Sequence, residues 1–302
     1  MHVERLLAMN SHPILAWLFW DPERVVFTIP LINHPIVWYG IWFVFGFIFA
    51  YICLIPMIQR RLEGPQELKR ERALIALDRL TWLVVIGTIV GARLGHVFLY
   101  DWPYYQHHLI EIFKVWRGGL ASHGGTVGVI IALVVYRISY YKRFPEITFI
   151  GLLDMIAVPT AFTACCIRIG NFFNQEILGT ESQHPWAIVF GHPADGSAVV
   201  SRHPVQLYEA LAYLLLFFFL AYLWISRPKI KPGMLIGIFF ILLFTARFFL
   251  EFFKLPQSFM VDESFLQTGQ YLSLPFILLG IGLIIYGPQI DAWDRNFFTQ
   301  RR

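Results

Sequence analysis

Ile36-Val37-Trp38-Tyr39-Gly40-Ile41-Trp42-Phe43-Val44-Phe45-Gly46-Phe47-Ile48-Phe49-Ala50-Tyr51-Ile52-Cys53-Leu54-Ile55-Pro56 carries no charged side chain over 21 residues. Coiled as a helix at about 1.5 Å per residue, such a run crosses a hydrocarbon core of about 30 Å. Six further apolar runs lie at residues 80–100, 124–140, 149–167, 207–225, 233–253 and 270–287. The chain of 302 residues is 57% hydrophobic and 15% charged, far too apolar for a soluble domain of this length. The runs are continuous rather than alternating, which argues against a membrane β-barrel. The expected fold class is an all-α polytopic membrane protein. It has seven transmembrane helices, a small external head region and an N-terminal arm.

The connections carry the orientation signal. Fifteen Lys and Arg residues fall in segments that alternate with segments holding seven, and two more, Arg93 and Arg247, lie within spans. Cytoplasmic loops collect Lys and Arg, so the charge-rich side is expected to be cytoplasmic, with the N-terminus outside and the C-terminus inside. On that frame residues 1–35 form an external arm, 36–287 the membrane domain with an external head segment at 168–206, and 288–302 a cytoplasmic tail. The net charge of +4 follows from this distribution and needs no nucleic-acid partner. Residues 14–20 are a short apolar run lacking a basic region before it and a small-residue cleavage pattern after it, so the N-terminal arm is expected to be retained.

Polar residues at the ends of the spans, and the few within them, are the candidates for function. Arg168-Ile169-Gly170-Asn171-Phe172-Phe173-Asn174-Gln175-Glu176-Ile177-Leu178-Gly179 places a cation, amides and a carboxylate where an apolar run gives way to loop. Arg168 and Asn171 share a face if helical, and the natural reading is an anion site; a snorkelling Arg above an interfacial loop is the alternative. Arg93, between Gly91-Ala92 and Leu94-Gly95, marks a polar core inside the second span. Gly118, Gly119, Gly124 and Gly125 surround His123 at the start of the third. Glycines there allow backbone approach to a ligand, or else build a re-entrant turn around a hydrogen-bonded histidine. In the sixth span Arg247 and Glu251 are four residues apart and can pair with each other. Tyr39 sits at interfacial depth as an anchor or a hydrogen-bonding group. Cys53, Cys165 and Cys166 show no CxxC or metal-ligand spacing and read as small apolar fillers; a nucleophile among the adjacent pair is the alternative.

Together the Trp38-Tyr39-Gly40 start, Gly91-Ala92-Arg93-Leu94-Gly95, the glycine run at His123, residues 168–179, His203-Pro204-Val205-Gln206-Leu207-Tyr208-Glu209, residues 247–251 and Gly269-Gln270-Tyr271-Leu272-Ser273 resemble, in order, the bacterial prolipoprotein diacylglyceryl transferases. The resemblance implies a seven-helix inner-membrane enzyme that moves a diacylglyceryl group from phosphatidylglycerol to the lipobox cysteine of a prolipoprotein signal peptide, leaving a thioether and glycerol phosphate. It points to Tyr39, His123, Arg168, Asn171, Glu176, Gly179, Arg247 and Glu251 as functional positions. Arg93, Gly124 and Gly125 join Arg168, Arg247 and Gly179 as expected substrate contacts. No metal and no cofactor are expected. The chain departs from the family at Leu243-Phe244, where Tyr-Gly is frequent, and at Lys254-Leu255-Pro256-Gln257, where Arg and Pro-Asp are frequent. Both departures are expected at the rim of the site, leaving its charged core untouched.

The chemistry agrees with those residue types. Cleavage at the glyceryl carbon builds charge on a leaving phosphate, which forked guanidinium donors match. The substrate supplies the thiol, and His123, with Glu176 or Glu251 behind it, is the candidate proton acceptor. A small transporter or channel using the same charges is the competing class, but no internal repeat or pair of broken helices supports it. An intramembrane protease lacks its motifs: GxSG is absent and Asp154 is the one aspartate within the expected spans.

Overall fold

The computed structural model describes residues 18–31, 33–227, 229–255 and 266–300. Arg5, residues 14–17, Pro256, Gln257, Arg301 and Arg302, which entered the readings above, lie outside the described residues. Among the described residues, seven helices are long and apolar enough to cross a membrane. They are α1 (Trp38–Arg61), α2 (Gln66–Leu99), α3 (Ser122–Tyr140), α4 (Phe149–Phe173), α5 (Val205–Ser226), α6 (Met234–Leu250) and α7 (Thr268–Thr299).

Two helices outrun their apolar segments. α2 starts 14 residues before the expected position 80, following Pro65 in an extended conformation. Its early turns are charged, yet Ala73, Ala76, Leu77 and Leu80 recur at helical spacing and are buried, so a packed stripe carries the helix outward. α7 continues to Thr299, so residues 288–299 are helix rather than an irregular tail. The buried carboxylates Asp291 and Asp294 explain why: Asp294 meets Arg137 at 3.0 Å and Asp291 meets Arg295 at 2.9 Å and Thr148. Hydropathy alone ends a helix where apolar residues end, and these packed polar turns escape it.

The chain divides into two compact units. The first takes the described residues of Met1–Ala50 with Ala157–Ile230 and Met234–Ile284, and the second takes the described residues of Tyr51–Ile156, Lys231–Gly233 and Ile285–Arg302. In the first, a small sheet head is built from β1 (Leu18–Trp20), parallel to β4 (Ile188–Phe190), which pairs antiparallel with β5 (Ser201–Arg202). A separate antiparallel hairpin joins β2 (Val25–Ile29) to β3 (His34–Val37) just before α1. The head core is Phe172, Leu178, Ile188 and Phe190 with Trp20 and Leu255 against it. Trp20 stacks on Phe172 at 4.5 Å and donates its indole N–H to the Phe172 carbonyl at 3.1 Å. The head therefore clamps the last turn of α4, the turn that carries Asn171 and follows Arg168.

In the second unit α2 packs on α3 through glycines. A Cβ on Gly124 would lie 2.7 Å from the Cα of Gly95, and one on Gly91 would lie 2.8 Å from the Cα of Gly128. Backbones that approach this closely leave no room for side chains. Elsewhere in this unit Asp154 accepts the Gly233 N–H at 2.8 Å and faces Arg61 at 3.8 Å, which accounts for an intramembrane aspartate by structure.

Candidate active site

The first unit gathers Tyr39, Arg168, Asn171, Glu176, Gly179, Arg247 and Glu251, while Arg93, His123, Gly124 and Gly125 belong to the second. α4 ends with Arg168 and Asn171 one turn apart, and the Arg168 Nη1 donates to Asn171 Oδ1 at 3.1 Å. Asn171 in turn donates from Nδ2 to Glu176 Oε2 at 3.0 Å, and Asn174 donates to the other oxygen, Oε1, at 3.0 Å. Glu176 is thus fixed by two amides. Its backbone is fixed as well, with its N–H on the Asn171 carbonyl at 2.9 Å and its carbonyl accepting Gln206 Nε2 at 2.7 Å.

Forming that turn costs backbone strain. Gln175 and Ile177, flanking Glu176, have φ of 54° and 57° without being glycine. The compensation at Gln175 is complete: its side chain is fully buried, accepts the His192 N–H at 2.7 Å and donates to Asp21 at 3.2 Å. A head built from strands distant in sequence thereby holds the turn that aims Glu176. Gly179, three residues on, lies so near the His203 and Val205 segment that a Cβ would sit 2.8 Å from Val205 Cγ2. Its place is set by backbone packing.

Behind Arg168 stands Glu209 of α5, completely buried. Its Oε2 lies 2.9 Å from Arg168 Nε. The N–H does not point along that line, since the same oxygen has no directed hydrogen-bond partner, so this contact is one of charge. Glu209 Oε1 accepts Lys254 Nζ at 2.9 Å and the Tyr213 hydroxyl at 3.4 Å. Lys254 also donates to Glu251 Oε2 at 3.1 Å.

Two expectations change here. Glu251 is paired with Lys254, and among the described residues no carboxylate lies within ion-pair distance of Arg247. Arg247, half-buried on α6, instead lies in the field of Glu209 and Tyr213. The departure at Lys254 is no rim feature either: Lys254 is 4% exposed and bridges two carboxylates of the charged core. The main chain delivers it there, because Leu255 N–H bonds the Leu178 carbonyl and Thr180 N–H the Phe253 carbonyl, at 3.0 and 2.8 Å.

Tyr39 opens α1 against α4, where a Cβ on Gly170 would lie 3.0 Å from its ring. The phenol lies within the electrostatic reach of both Arg168 and Glu176. His203 closes the outer edge, packed on Phe253 and His184 with its Nδ1 3.2 Å from the Tyr208 hydroxyl. Burial, then the neighbouring His184 charge, hold its imidazole below the ordinary value.

In the second unit Arg93 is almost fully buried and spends its fork on main-chain carbonyls. Nε donates to Ile112 at 2.8 Å, Nη1 to Gly118 at 2.7 Å and Gly119 at 3.2 Å, and Nη2 to Glu111 at 2.5 Å. Gly118 and Gly119 have φ of 85° and 70°, and a Cβ on Gly119 would meet the guanidinium at 2.7 Å. Arg93, expected as a substrate contact, staples the segment between α2 and α3. Gly124, expected to admit a ligand, admits the backbone of α2. Gly125 is buried beside Ala92. His123 stays exposed in the first turn of α3.

Sequence reasoning left Glu209, Tyr213 and Lys254 without roles. Glu209 had a signal, since a carboxylate three residues after Gln206 at a helix start shares its face. Tyr213, one turn later, looks like any aromatic of an apolar helix, and Lys254 looks like a surface substitution.

These features define a multi-pass membrane protein with a buried site of three cations and three carboxylates at its helix ends. The sequence profile of the prolipoprotein diacylglyceryl transferase family matches residues 24–286, and the chain belongs to that family. It is 39% identical to the phosphatidylglycerol--prolipoprotein diacylglyceryl transferase of Protochlamydia amoebophila, over 89% of this chain and 95% of that protein. Proteins of the same name from Tolumonas auensis and Porphyromonas gingivalis are 40% and 39% identical, covering 91% and 89% of this chain and 99% and 94% of theirs.

Proposed function

We propose that this protein transfers the diacylglyceryl group of phosphatidylglycerol to the lipobox cysteine thiol of a prolipoprotein signal peptide, the first step of bacterial lipoprotein maturation. The carrying observation is Arg168. Its guanidinium stands at a helix end, only 12% exposed, with Glu209 and Asn171 against it and Tyr213 in its field, which leaves part of its five-donor fork for an anion. Arg247, with no carboxylate at ion-pair distance among the described residues, supplies the second fork.

Sulfur attacks the glyceryl carbon attached to phosphate oxygen. The C–S bond forms as the C–O bond breaks, and the electron pair leaves on the phosphate of glycerol phosphate. Arg168 and Arg247 stabilise the charge that grows there. The thiol proton passes to His123. Glu176 and Glu251 are the weaker candidates for that proton, because their oxygens already accept from Asn171, Asn174 and Lys254. Asn171 and Tyr39 hold Arg168 and Glu176 in register, and Gly179 keeps the adjoining strand close.

The same reading places the protein in the bacterial inner membrane with its N-terminus periplasmic and its C-terminus cytoplasmic, supported by the asymmetry of Lys and Arg. Purified protein incubated with phosphatidylglycerol and a lipobox peptide should give the peptide a diacylglyceryl mass increment; an unchanged peptide overturns the reaction. Reporters fused after Gly64 and after Gly191 should read opposite sides of the membrane, and the same side for both overturns the orientation.

A further inference from the structure

We infer that Glu209 is a positioning residue of the transfer reaction, which shares its buried carboxylate between Arg168 and Lys254 so that Arg168 is oriented without being neutralised. The inference rests on the proposed reaction and adds a residue for which the sequence motifs specified no role. Glu209 is fully buried in the second turn of α5, and each of its oxygens serves a different cation, Oε2 for Arg168 Nε and Oε1 for Lys254 Nζ, both at 2.9 Å. A carboxylate paired with one arginine cancels that charge. Here Lys254 takes half of the interaction and passes on to Glu251 at 3.1 Å. The cluster sets Arg168, Lys254 and Arg247 against Glu209, Glu251 and Glu176, the last joined to Arg168 through the neutral amide of Asn171.

Orientation follows from the geometry of the guanidinium. Glu209 occupies the Nε edge and Asn171 one Nη1 position. The guanidinium is thereby held from two sides, by the charge of Glu209 on α5 and by the directed hydrogen bond to Asn171 in the last turn of α4. Glu209 touches neither sulfur nor phosphate in this scheme, and it acts through Arg168. Misplacing a phosphate-holding group by about 1 Å costs on the order of 10²-fold in rate.

The test separates position from charge balance. The full-length protein is assayed with phosphatidylglycerol and a lipobox peptide, reading kcat, KM for the lipid and the thermal midpoint. Glu209→Gln strands two buried cations, and both kcat and midpoint should fall. In Glu209→Gln/Lys254→Met the charges balance again; the midpoint should recover most of the loss, with kcat still depressed by about 30-fold or more. Glu209→Asp keeps the charge and withdraws it by about 1.5 Å. It should lower kcat by about 10-fold with KM for the lipid changed less than about threefold. Wild-type kcat in the double variant would reduce Glu209 to a counter-ion of Lys254 and overturn the proposal. Should the double variant fail to fold, wild-type kcat in Glu209→Asp overturns it equally. Loss of lipidation by the unsubstituted protein would count against the reaction itself, a different outcome from normal turnover in these variants.

Discussion

Arg93 and Arg168 look alike in the sequence, each a lone arginine beside glycines in or at the end of an apolar run, and their surroundings could hardly differ more. Arg93 donates four hydrogen bonds to neutral carbonyls of residues 111–119 and lies over the Tyr105 ring at 5.0 Å. Arg168 is held by a carboxylate, an amide and a phenol, with donors to spare. Carbonyls that already have an arginine would lose their donor if it moved, so Arg93 is tied to folding. A guanidinium held by side chains can shift partner when an anion arrives. What an arginine is bonded to, more than its presence in a membrane span, separates these two cations.

Substituting the fork breaks this comparison most severely. Arg168→Lys and Arg247→Lys keep a charge and lose bidentate geometry, and each should reduce kcat by roughly 10²- to 10³-fold. Steady-state transfer to a lipobox peptide measures it, and full activity in either variant removes that arginine from the phosphate site. His123→Gln should lose on the order of 10²-fold at neutral pH through loss of proton acceptance. Its activity should climb as the pH approaches the ordinary thiol value of about 8.5, where sulfur deprotonates unaided, a recovery that the Lys variants should not share. Wild-type turnover at neutral pH would remove His123 as the base.

Arg93→Met sharpens the contrast from the other side. Orphaning the carbonyls of residues 111, 112, 118 and 119 should destabilise the protein by roughly 2–4 kcal/mol. The drop should exceed that of Arg168→Lys in a thermal-unfolding assay in detergent, and equal midpoints for the two would contradict the staple. The smallest effect is expected from replacing Cys53, Cys165 and Cys166 together by Ala. Cys165 and Cys166 are buried free thiols and Cys53 is half-buried, so transfer should stay within about threefold of the unsubstituted protein, as for small apolar fillers. Loss of transfer in a folded, inserted variant would point to a covalent enzyme intermediate.

The Lys254 departure shows where reading residues one by one fails. At the end of α6 a lysine after Phe252-Phe253 has every mark of a rim residue, and its burial depends on a backbone bridge to Gly179, 75 positions earlier. The Arg247 and Glu251 pair fails in a similar way: helical spacing permits it, and the nearer ammonium of Lys254 takes the carboxylate. By contrast, the link from Arg168 through Asn171 to Glu176 runs within nine residues and was visible as a cluster.

Hydrophobic run length by itself determined seven spanning helices, because a bilayer of fixed thickness demands about 20 apolar residues per crossing. Ordered local motifs determined the family. The tertiary structure alone decided where α2 starts and where α7 ends, since those turns are held by packing and buried ion pairs. It also decided which partner each buried charge takes, including the place of Glu209 between Arg168 and Lys254. Those choices depend on which oxygen lies within 3 Å of which nitrogen after α4, α5 and the segment following α6 have met, and separations in sequence carry no such distance.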